Sequence, residues 1–538
     1  MLIKYMKSIH IYSLLSLLIA FSCSALAATE NQYDNFHTYK DTDYQQAYRP
    51  KFHFTSKKNW INDPNGMLYY DGEYHLFFQH NPLGTGWGNM AWGHAVSKDM
   101  VHWEQLPHAI TPYGSGYIFS GTGVVDHNNS LGKQVKNTKT LVLMYSYALD
   151  TRPNFGALTP PKETAYYQGI AYSTDRGRTF ELLNDGAPII PFQGRDVDPK
   201  GTQRDPKLFW HQESQKWVTL LWLGESSGGK IRVFSSDNLV DWEFETDMTR
   251  KWAHECFDLL KLPILNADGS MPDEVQYKWL MYDGSFDYEI GHFDGKNFKA
   301  EQKVKNHKLG HWNAAQTFNN SPDGRAVIIG WLKNSDFWRY KMPFTEQLSF
   351  PATLELRKVG NEILLYRWPV KEISSLYTQS WKLNSAKTLM QANSFLKKIS
   401  PECFDMTLSI SAKENFSLII RGSILSYNHS KNQLNFISQK NQIKKLDWDK
   451  LRPEAQKNRK NWQLRPDQFT FSNVKNTSAN IGMRILVDRG SFEIFFNQGQ
   501  QVLTHSEISD LNNKNIQFKG ESSIISSLTI HEIKSSWE

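Results

Sequence analysis

The sequence predicts an all-β protein: a five-bladed β-propeller followed by a C-terminal β-sandwich. Three observations carry that expectation. Short apolar alternations are bounded by turn residues, as in Leu68-Tyr69-Tyr70, then Asp71-Gly72, then Tyr74-His75-Leu76-Phe77-Phe78, where an Asp-Gly turn joins two strands. A polar–aromatic unit recurs at the spacing of a propeller blade. The texture changes near 366–395, and after residue 380 the chain is rich in Lys, Asn and Ser with short Ile/Leu alternations. Before residue 370 no amphipathic run of helical period exceeds about three turns.

The composition fits this class. Of 538 residues, 40% are hydrophobic and 22% charged, which describes a globular chain rather than a disordered one. Aromatics reach 13%, as expected of a strand-rich core, with some rings available as sugar-stacking platforms. The net charge of +6 is thinly spread. No block of five basic residues occurs, so a nucleic-acid partner has no electrostatic footprint and a neutral substrate is expected. With Gly at 33 and Cys at 3, collagen-like and disulfide-scaffold classes are excluded.

Residues 1–27 read as a secretory signal. Lys4 and Lys7 form a basic n-region, Ile11 to Phe21 an apolar core, and Ala25-Leu26-Ala27 a small-residue cleavage site. The apolar run is short for a membrane span, and Phe21-Ser22 makes a poor lipobox before Cys23. The expectation is therefore an exported protein, periplasmic or extracellular, with no membrane span after cleavage. A leader follows over 28–47.

The propeller is placed at 48–370. Ser97-Lys98-Asp99 precedes Trp103-Glu104, Ser173-Thr174-Asp175 precedes Phe180-Glu181, Ser235-Ser236-Asp237 precedes Trp242-Glu243, and His292-Phe293-Asp294 precedes Phe298. Each unit reads as strand, polar turn, aromatic strand. Such units cannot bury both faces alone and must stack around an axis. Four units plus the stretch Trp312 to Leu356 make about five blades. A hairpin is expected around Asp323-Gly324. A linker is placed at 371–384 and the sandwich at 385–538, with a strand pair across Met483–Asp488 and Ser491–Asn497. Residues 444–460 read as a helical insert or a long loop.

After signal cleavage only Cys256 and Cys403 remain. The chain has no Cys-x-x-Cys and no His-Glu-x-x-His, so a structural zinc site has no sequence support, and no metal or cofactor is expected.

Three carboxylates sit in unusual company. Asp63 lies in Trp60-Ile61-Asn62-Asp63-Pro64-Asn65-Gly66, Asp205 in Arg204-Asp205-Pro206, and Glu255 in His254-Glu255-Cys256-Phe257-Asp258. Pro64 and Pro206 fix the backbone, and Gly66 permits a tight exit. Arg204 is expected to keep Asp205 ionised, and the apolar Cys256-Phe257 setting to keep Glu255 protonated. Each also has a plain structural reading: Asn-Asp-Pro-Asn-Gly is a turn sequence, and Arg-Asp suits an ion pair in a loop. Glu402-Cys403-Phe404-Asp405 repeats the third string beyond the linker and reads as a sandwich edge.

In this order the three strings resemble glycoside hydrolase family 32, the invertases, levanases, inulinases and fructan exohydrolases. The resemblance runs from about Tyr48 to the C-terminus and returns in Arg484-Ile485-Leu486-Val487-Asp488-Arg489-Gly490-Ser491-Phe492-Glu493. It implies a five-bladed propeller with a C-terminal sandwich. It implies Asp63 as nucleophile, Glu255 as general acid/base and Asp205 as transition-state stabiliser, with the latter two roles and the first acting by retention. It further implies substrate contacts from Trp60, Asn62, Gln79, Trp87, Phe119, Ser120, Arg204 and Trp312, and a fructan or sucrose substrate.

The chain departs from the family at His80, His254, Pro351-Ala352 and Phe344-Thr345-Glu346-Gln347, all outside the three carboxylates. Asn81-Pro82-Leu83-Gly84-Thr85-Gly86-Trp87-Gly88 looks more like the levanase and inulinase branch than the plant invertases, so release of terminal fructose is favoured. The alternatives are a fructosyltransferase on the same scaffold, a catalytically silent fructan-binding protein, and a related hydrolase of arabinose or xylose polymers, against which the Trp60–Gly66 string argues.

Overall fold

The computed structural model describes residues 32–33, 36–149, 165–225, 228–307, 309–333, 335, 337–383, 386–439, 467–473, 480–508, 510–520 and 523–537. The expected signal segment and the 444–460 insert lie outside these residues. Among the described residues no helix is long and apolar enough to cross a membrane.

Five four-stranded antiparallel blades follow one another. The first holds β1 to β4 (Asn59–Tyr70, Glu73–His80, Ala91–Ser97, Glu104–Ile110), the second β5 to β8 (Gly116–Asp126, Thr140–Leu149, Ala165–Ser173, Glu181–Leu182). The third holds β9 to β12 (Arg204–His211, Lys216–Glu225, Gly228–Ser236, Glu243–Arg250), the fourth β13 to β16 (Asp258–Leu265, Tyr277–Tyr282, Asp287–Phe293, Phe298–Ala300). A short β17 (Lys305–Asn306) adds to β15. The fifth blade is built from β18 (Trp312–Thr317), β19 (Ala326–Leu332), β22 (Ala352–Val359) and β23 (Glu362–Pro369). Two short strands complete it: β20 (Phe344–Thr345) pairs in parallel with β1, and β21 (Gln347–Leu348) pairs with β19. Blades four and five are also joined at the rim, Ile264 pairing with Leu356.

The first strand of each blade lines the axis, and polar bonds stitch these strands into a ring. Gly121 N donates to Asn65 Oδ1 between blades one and two, and Leu208 N to Thr122 Oγ1 between three and two. Lys207 Nζ reaches Asp258 at 2.7 Å between three and four, and Thr317 N donates to Asp258 Oδ2 between five and four. Asn319 N donates to Met67 O, which closes five onto one. Lys207 and Asp258 are both buried. A buried charge pair survives only when its remaining polar atoms are satisfied, and Tyr282 and Thr317 hydroxyls donate to the second Asp258 oxygen.

The recurring polar units are the turns between the third and fourth strands of the blades. In the first, Asp99 accepts from Val101 and His102 N–H, and Trp103 Nε1 donates to Met100 O. The third blade repeats this one residue later than the sequence pattern suggests. Asn238, not Asp237, caps the turn by accepting from Val240 and Asp241 N–H, and Trp242 Nε1 donates to Leu239 O. Asn and Asp both suit such turns because the short side chain reaches the backbone two residues on.

The region assigned to a linker, 371–384, is ordered structure where it is described. One helical turn, Lys371–Leu376, leads into β24 (Tyr377–Leu383), which pairs with the last strand of the chain, β35 (Ile524–Ile533). The sandwich sheet thus begins about eight residues before the expected 385, because Leu383 belongs to its core. One sheet runs β24, β35, β26 (Phe404–Ser411), β31 (Asn480–Val487), β32 (Ser491–Phe496), β33 (Gln501–Ser506), with β25 (Lys387–Thr388) beside β35. The other runs β30 (Gln468–Ser472), β29 (Gln433–Ile437), β28 (Ser423–Asn428), β27 (Phe416–Ile420), β34 (Ile516–Lys519). The helix Leu389–Leu396 covers one end, its Thr388 N-cap accepting from Gln391 N.

The second Glu-Cys-Phe-Asp string opens β26, an interior strand between β35 and β31, and not an edge. Glu402 there bridges Lys51 and Arg489. The leader, too, is built into the fold from Phe36 onward: Tyr39 is buried against His80, and Tyr44 stacks on Trp537 at 4.2 Å. Phe54, Phe78 and Ile329 of the propeller share one apolar core with Leu486, Phe495 and Val502 of the sandwich. Each such ring or branched side chain, fully buried, contributes about 1.5–3 kcal/mol, so the two domains are held by a common core and not by a flexible tether.

Candidate active site

The first strands of the blades share a distortion at the end where the pocket opens. Pairing in β1 slips between Ile61 and Pro64, in β5 between Phe119 and Gly121, and in β18 between Asn313 and Gln316. In the third blade the extra residue again lies on the first strand, β9, where Asp205 and Pro206 stand opposite the single Leu221, and the φ of Asp205 is 59°. In the fourth, Cys256 (φ 58°) kinks the chain just before β13. Bulges of this kind re-aim side chains and bend strands. Here they turn one polar side chain per blade toward the axis. The Asn-Asp-Pro-Asn-Gly string is accordingly a bulged strand and not a turn. Gly66 is required there: its φ is 57°, and a Cβ would stand 2.7 Å from Phe77 and 2.9 Å from Trp92.

A pocket of about 330 Å³ results, lined by Asn62, Asp63, Gln79, Trp87, Phe119, Ser120, Arg204, Asp205 and Glu255, all expected from sequence, and by Met90, Tyr166, Asn313 and Trp331, which were not. Asp63 accepts from Ser120 Oγ at 2.7 Å on Oδ2 and from Asn62 Nδ2 at 3.0 Å on Oδ1. Trp60 is not a lining residue. Its indole N–H donates to Asn62 Oδ1 at 3.0 Å and so sets the amide that faces Asp63. Gln79 Nε2 is buried with no hydrogen-bond partner among the described residues, a donor left for an incoming hydroxyl.

Arg204 sits between two of the acids. Its Nη2 contacts Glu255 Oε2 directly, and its Nε lies 3.5 Å from Asp205 Oδ2. The guanidinium lies over the Trp222 ring at 4.3 Å, which fixes its plane. The Cys256 thiol fills the space between Asp63 and Asp205, 3.8 and 3.6 Å from their oxygens. Glu255 is held by its backbone: its carbonyl accepts from Gly284 N at 2.8 Å, and His254 N donates to Asp283.

The electrostatics invert the expectation for two of the acids. Burial raises Asp63 to about 6, against the lowering bonds from Ser120 and Asn62. Burial likewise raises Asp205 to about 7, with Arg204 opposing and the Glu255 and Asp63 charges adding. Burial also pushes Glu255 upward, but the charge and hydrogen bond of Arg204 outweigh it and bring Glu255 below its ordinary value. Arg204 lowers Asp205 but does not offset its burial, because the closer contact of the guanidinium is to Glu255. Three converging carboxylates with one guanidinium retain a proton near neutral pH.

Trp312, like Trp60, is a sequence-assigned contact that does not line the pocket. It is 1% exposed, donates from Nε1 to Ser349 Oγ, and packs under Arg367 at 3.8 Å. The bulge after Asn313 explains this: Trp312 faces into the blade, while Asn313 and its cross-strand partner Trp331 face the pocket. A signal for Trp331 existed, an aromatic in the Gly330-Trp331-Leu332 strand opposite Asn313, but its register is invisible without the pairing. Tyr166 lies over Phe119, centroids 5.4 Å apart, and Trp87 meets the other side of Phe119 at 6.2 Å. Cys256 and Cys403 are both free and buried.

Comparison with known proteins places this geometry. Residues 53–369 match the family model of the glycosyl hydrolases family 32 N-terminal domain, and residues 372–532 that of the family's C-terminal region. A levanase of Bacillus subtilis is 33% identical over 563 aligned residues, covering 99% of this chain and 75% of that protein. An extracellular exo-inulinase of Aspergillus awamori is 30% identical over 508 residues, covering 86% of this chain and 90% of the other. The crystal structure of exo-inulinase from Aspergillus awamori superimposes with a TM-score of 0.74 at 26% identity, over 92% of this chain and 100% of that one.

Proposed function

The chain belongs to family 32 of the glycosyl hydrolases, and from that premise we propose that it is an exported fructanase that frees terminal fructose by double displacement. The activity class is that of a β-fructosidase acting on fructan or sucrose. The observation that carries the finer reading is the convergence of Asp63, Asp205 and Glu255, from three blades, on one pocket with a single guanidinium between two of them.

In the first step Asp63 attacks the anomeric carbon of the fructosyl unit. The glycosidic C–O bond breaks, and Glu255 gives its proton to the leaving oxygen. In the second step Glu255 takes a proton from water, whose oxygen replaces the Asp63 ester. Ser120 and Asn62 aim the nucleophile and stabilise its charge. Asp205 accepts hydrogen bonds from ring hydroxyls that sharpen as positive charge develops. The Arg204 contact holds Glu255 ionised in the free site, so substrate hydroxyls entering beside Arg204 must loosen that contact before Glu255 can act as an acid. Once freed, Glu255 takes up a solvent proton, and that proton passes to the leaving oxygen.

A pocket at the small end of the usual range for ligand sites, ~300–1,000 Å³, suits one terminal sugar better than a threaded chain. Export rests on the signal-like segment of residues 1–27 and on the extracellular relatives. Digestion of levan, inulin and sucrose, read by chromatography over time, tests the reading. Free fructose should be the first product from levan. Early internal fragments would reverse the exo assignment, and long oligosaccharides at high sucrose would point to the transferase.

A further inference from the structure

Away from the pocket, one cluster has ligand chemistry that fructoside hydrolysis does not use. His311 leads into β18, Asp467 precedes β30, and His505 lies on β33, so the three meet where the fifth blade abuts the sandwich. One ligand atom from each lies within 4.8 Å of the others. His311 Nε2 is 3.4 Å from Asp467 Oδ2, and His505 Nε2 is 3.9 Å from the same oxygen. Both are longer than a full hydrogen bond of ~2.7–3.2 Å. The first matches the ~3.4 Å edge of a tetrahedron whose metal–ligand bonds are ~2.0–2.1 Å, and the second exceeds it by about half an ångström.

A second observation is independent of that spacing. His505 is fully buried, and neither ring nitrogen makes a hydrogen bond. A buried imidazole left unsatisfied in a native fold calls for an ion or other partner. Glu507 Oε2 lies 3.3 Å from His505 Nε2 but outside the group of mutually close ligand atoms, so it neighbours the site without joining it. Ser423 Oγ reaches both Glu507 oxygens, at 2.7 and 3.0 Å, and fixes the carboxylate. Ser506 N–H approaches His311 Nδ1 at 3.4 Å, too far to dictate which nitrogen carries the proton.

We propose that His311, Asp467 and His505 bind one divalent transition-metal ion, of the zinc class, that ties the propeller to the sandwich. Two imidazoles with one carboxylate suit zinc, with water in the fourth position, whereas calcium and magnesium prefer all-oxygen shells. The ligands are far apart in the chain, which is why no local metal motif announces them.

The test uses untagged full-length protein stripped with chelator. Zinc chloride should bind at one ion per chain by calorimetry and raise the thermal midpoint, with hydrolysis of sucrose unchanged. Cobalt(II) should give the visible absorption of a four-coordinate site. Asp467→Asn and His311→Gln should each weaken zinc binding at least tenfold while hydrolysis stays normal, which also reports their folding. Absence of stoichiometric binding to the wild type, a purely octahedral cobalt spectrum, or variants that bind as tightly as wild type would each overturn the assignment.

Discussion

His53 and Asp488 stand 435 residues apart in the chain, and His53 Nδ1 lies 2.9 Å from Asp488 Oδ2. The opposite face of the ring meets Glu493 at 3.0 Å, and all three side chains are buried. Asp488 also accepts from the backbone N–H of Lys51, Phe52 and His53. The sandwich thereby grips the strand that feeds the first blade. Burial lowers His53, but the two carboxylates outweigh it and raise the ring from 6.5 to about 9. Burial raises Asp488, and His53 with the backbone donors brings it well below the carboxylate range. The signs follow. The His53 contribution is complete below pH 6.5 and lost as pH rises through about 9. The Asp488 contribution is present above its ordinary 3.8 and lost in stronger acid. His53→Ala leaves two carboxylates buried together and should cost about 3–5 kcal/mol in denaturant unfolding. The wild-type thermal midpoint should fall between pH 6.5 and 9, and the variant's should not. Equal slopes would assign the effect to another group.

Ser120→Ala tests what holds the nucleophile. The lost bond is a hydroxyl to a carboxylate at 2.7 Å, the charge-assisted kind worth about 1.5–3 kcal/mol. If it favours ionised Asp63, kcat/KM should fall roughly ten- to a hundredfold, and the acid limb of the pH profile should move to higher pH. A fall with no movement of that limb would leave Ser120 a packing role only.

Much of this site was legible because its chemistry is local in sequence. Asp63 with Asn62, Arg204 with Asp205, and Glu255 with Cys256 each travel as one string. The strands read from Asp71-Gly72 and Asp323-Gly324 formed where the turns placed them. What was not legible depends on register and on partners far away. Trp312 and Asn313 swap faces through one bulge, and the third blade's turn slides from Asp237 to Asn238 by one residue. Adjacency of Arg204 and Asp205 suggested an ion pair, and one forms at 3.5 Å, yet the closer contact of the guanidinium is to Glu255, 51 positions on. Side-chain reach, not neighbourhood in the chain, decided it.

Trp331 is the pocket aromatic that register revealed. Its indole N–H donates to buried Glu346 at 3.1 Å, and its ring meets Trp60 edge-on at 6.1 Å. A ring so fixed can act as a stacking wall for a sugar. Trp331→Ala should lower kcat/KM roughly ten- to a hundredfold, as expected for loss of ~1.5–3 kcal/mol of apolar contact. The loss should appear mainly in KM. Trp312→Phe should instead lower the thermal midpoint and leave KM unchanged. If Trp331→Ala altered stability alone, its place in binding would be wrong.

Glu402 repeats the catalytic string without its surroundings. It is partly exposed and paired with Lys51 and Arg489. Glu402→Ala should keep turnover within twofold and cost about 0–1 kcal/mol, as such pairs do. A large loss of turnover with normal folding would make the second string more than a repetition.

The pH profile separates the roles of the three acids. If Asp63 must be ionised, kcat/KM should rise through about 6, where burial places that group. If the site must keep its one proton, kcat/KM should fall through about 7, the value to which burial raises Asp205. The result is a narrow bell. Asp205→Asn removes the group that holds the proton in the free site, so the alkaline limb should shift and turnover should drop. Glu255→Gln keeps size and hydrogen bonding but cannot protonate an alkoxide, so it should lose at least ~10³ in turnover on sucrose, roughly 4 kcal/mol in the barrier. Fructosyl fluoride needs no such proton, and with it the Glu255→Gln enzyme should recover much of the first step. Asp63→Asn should show no recovery, because no leaving group replaces a missing nucleophile. Rescue of the Asp63 variant with failure of the Glu255 variant would exchange the two assignments.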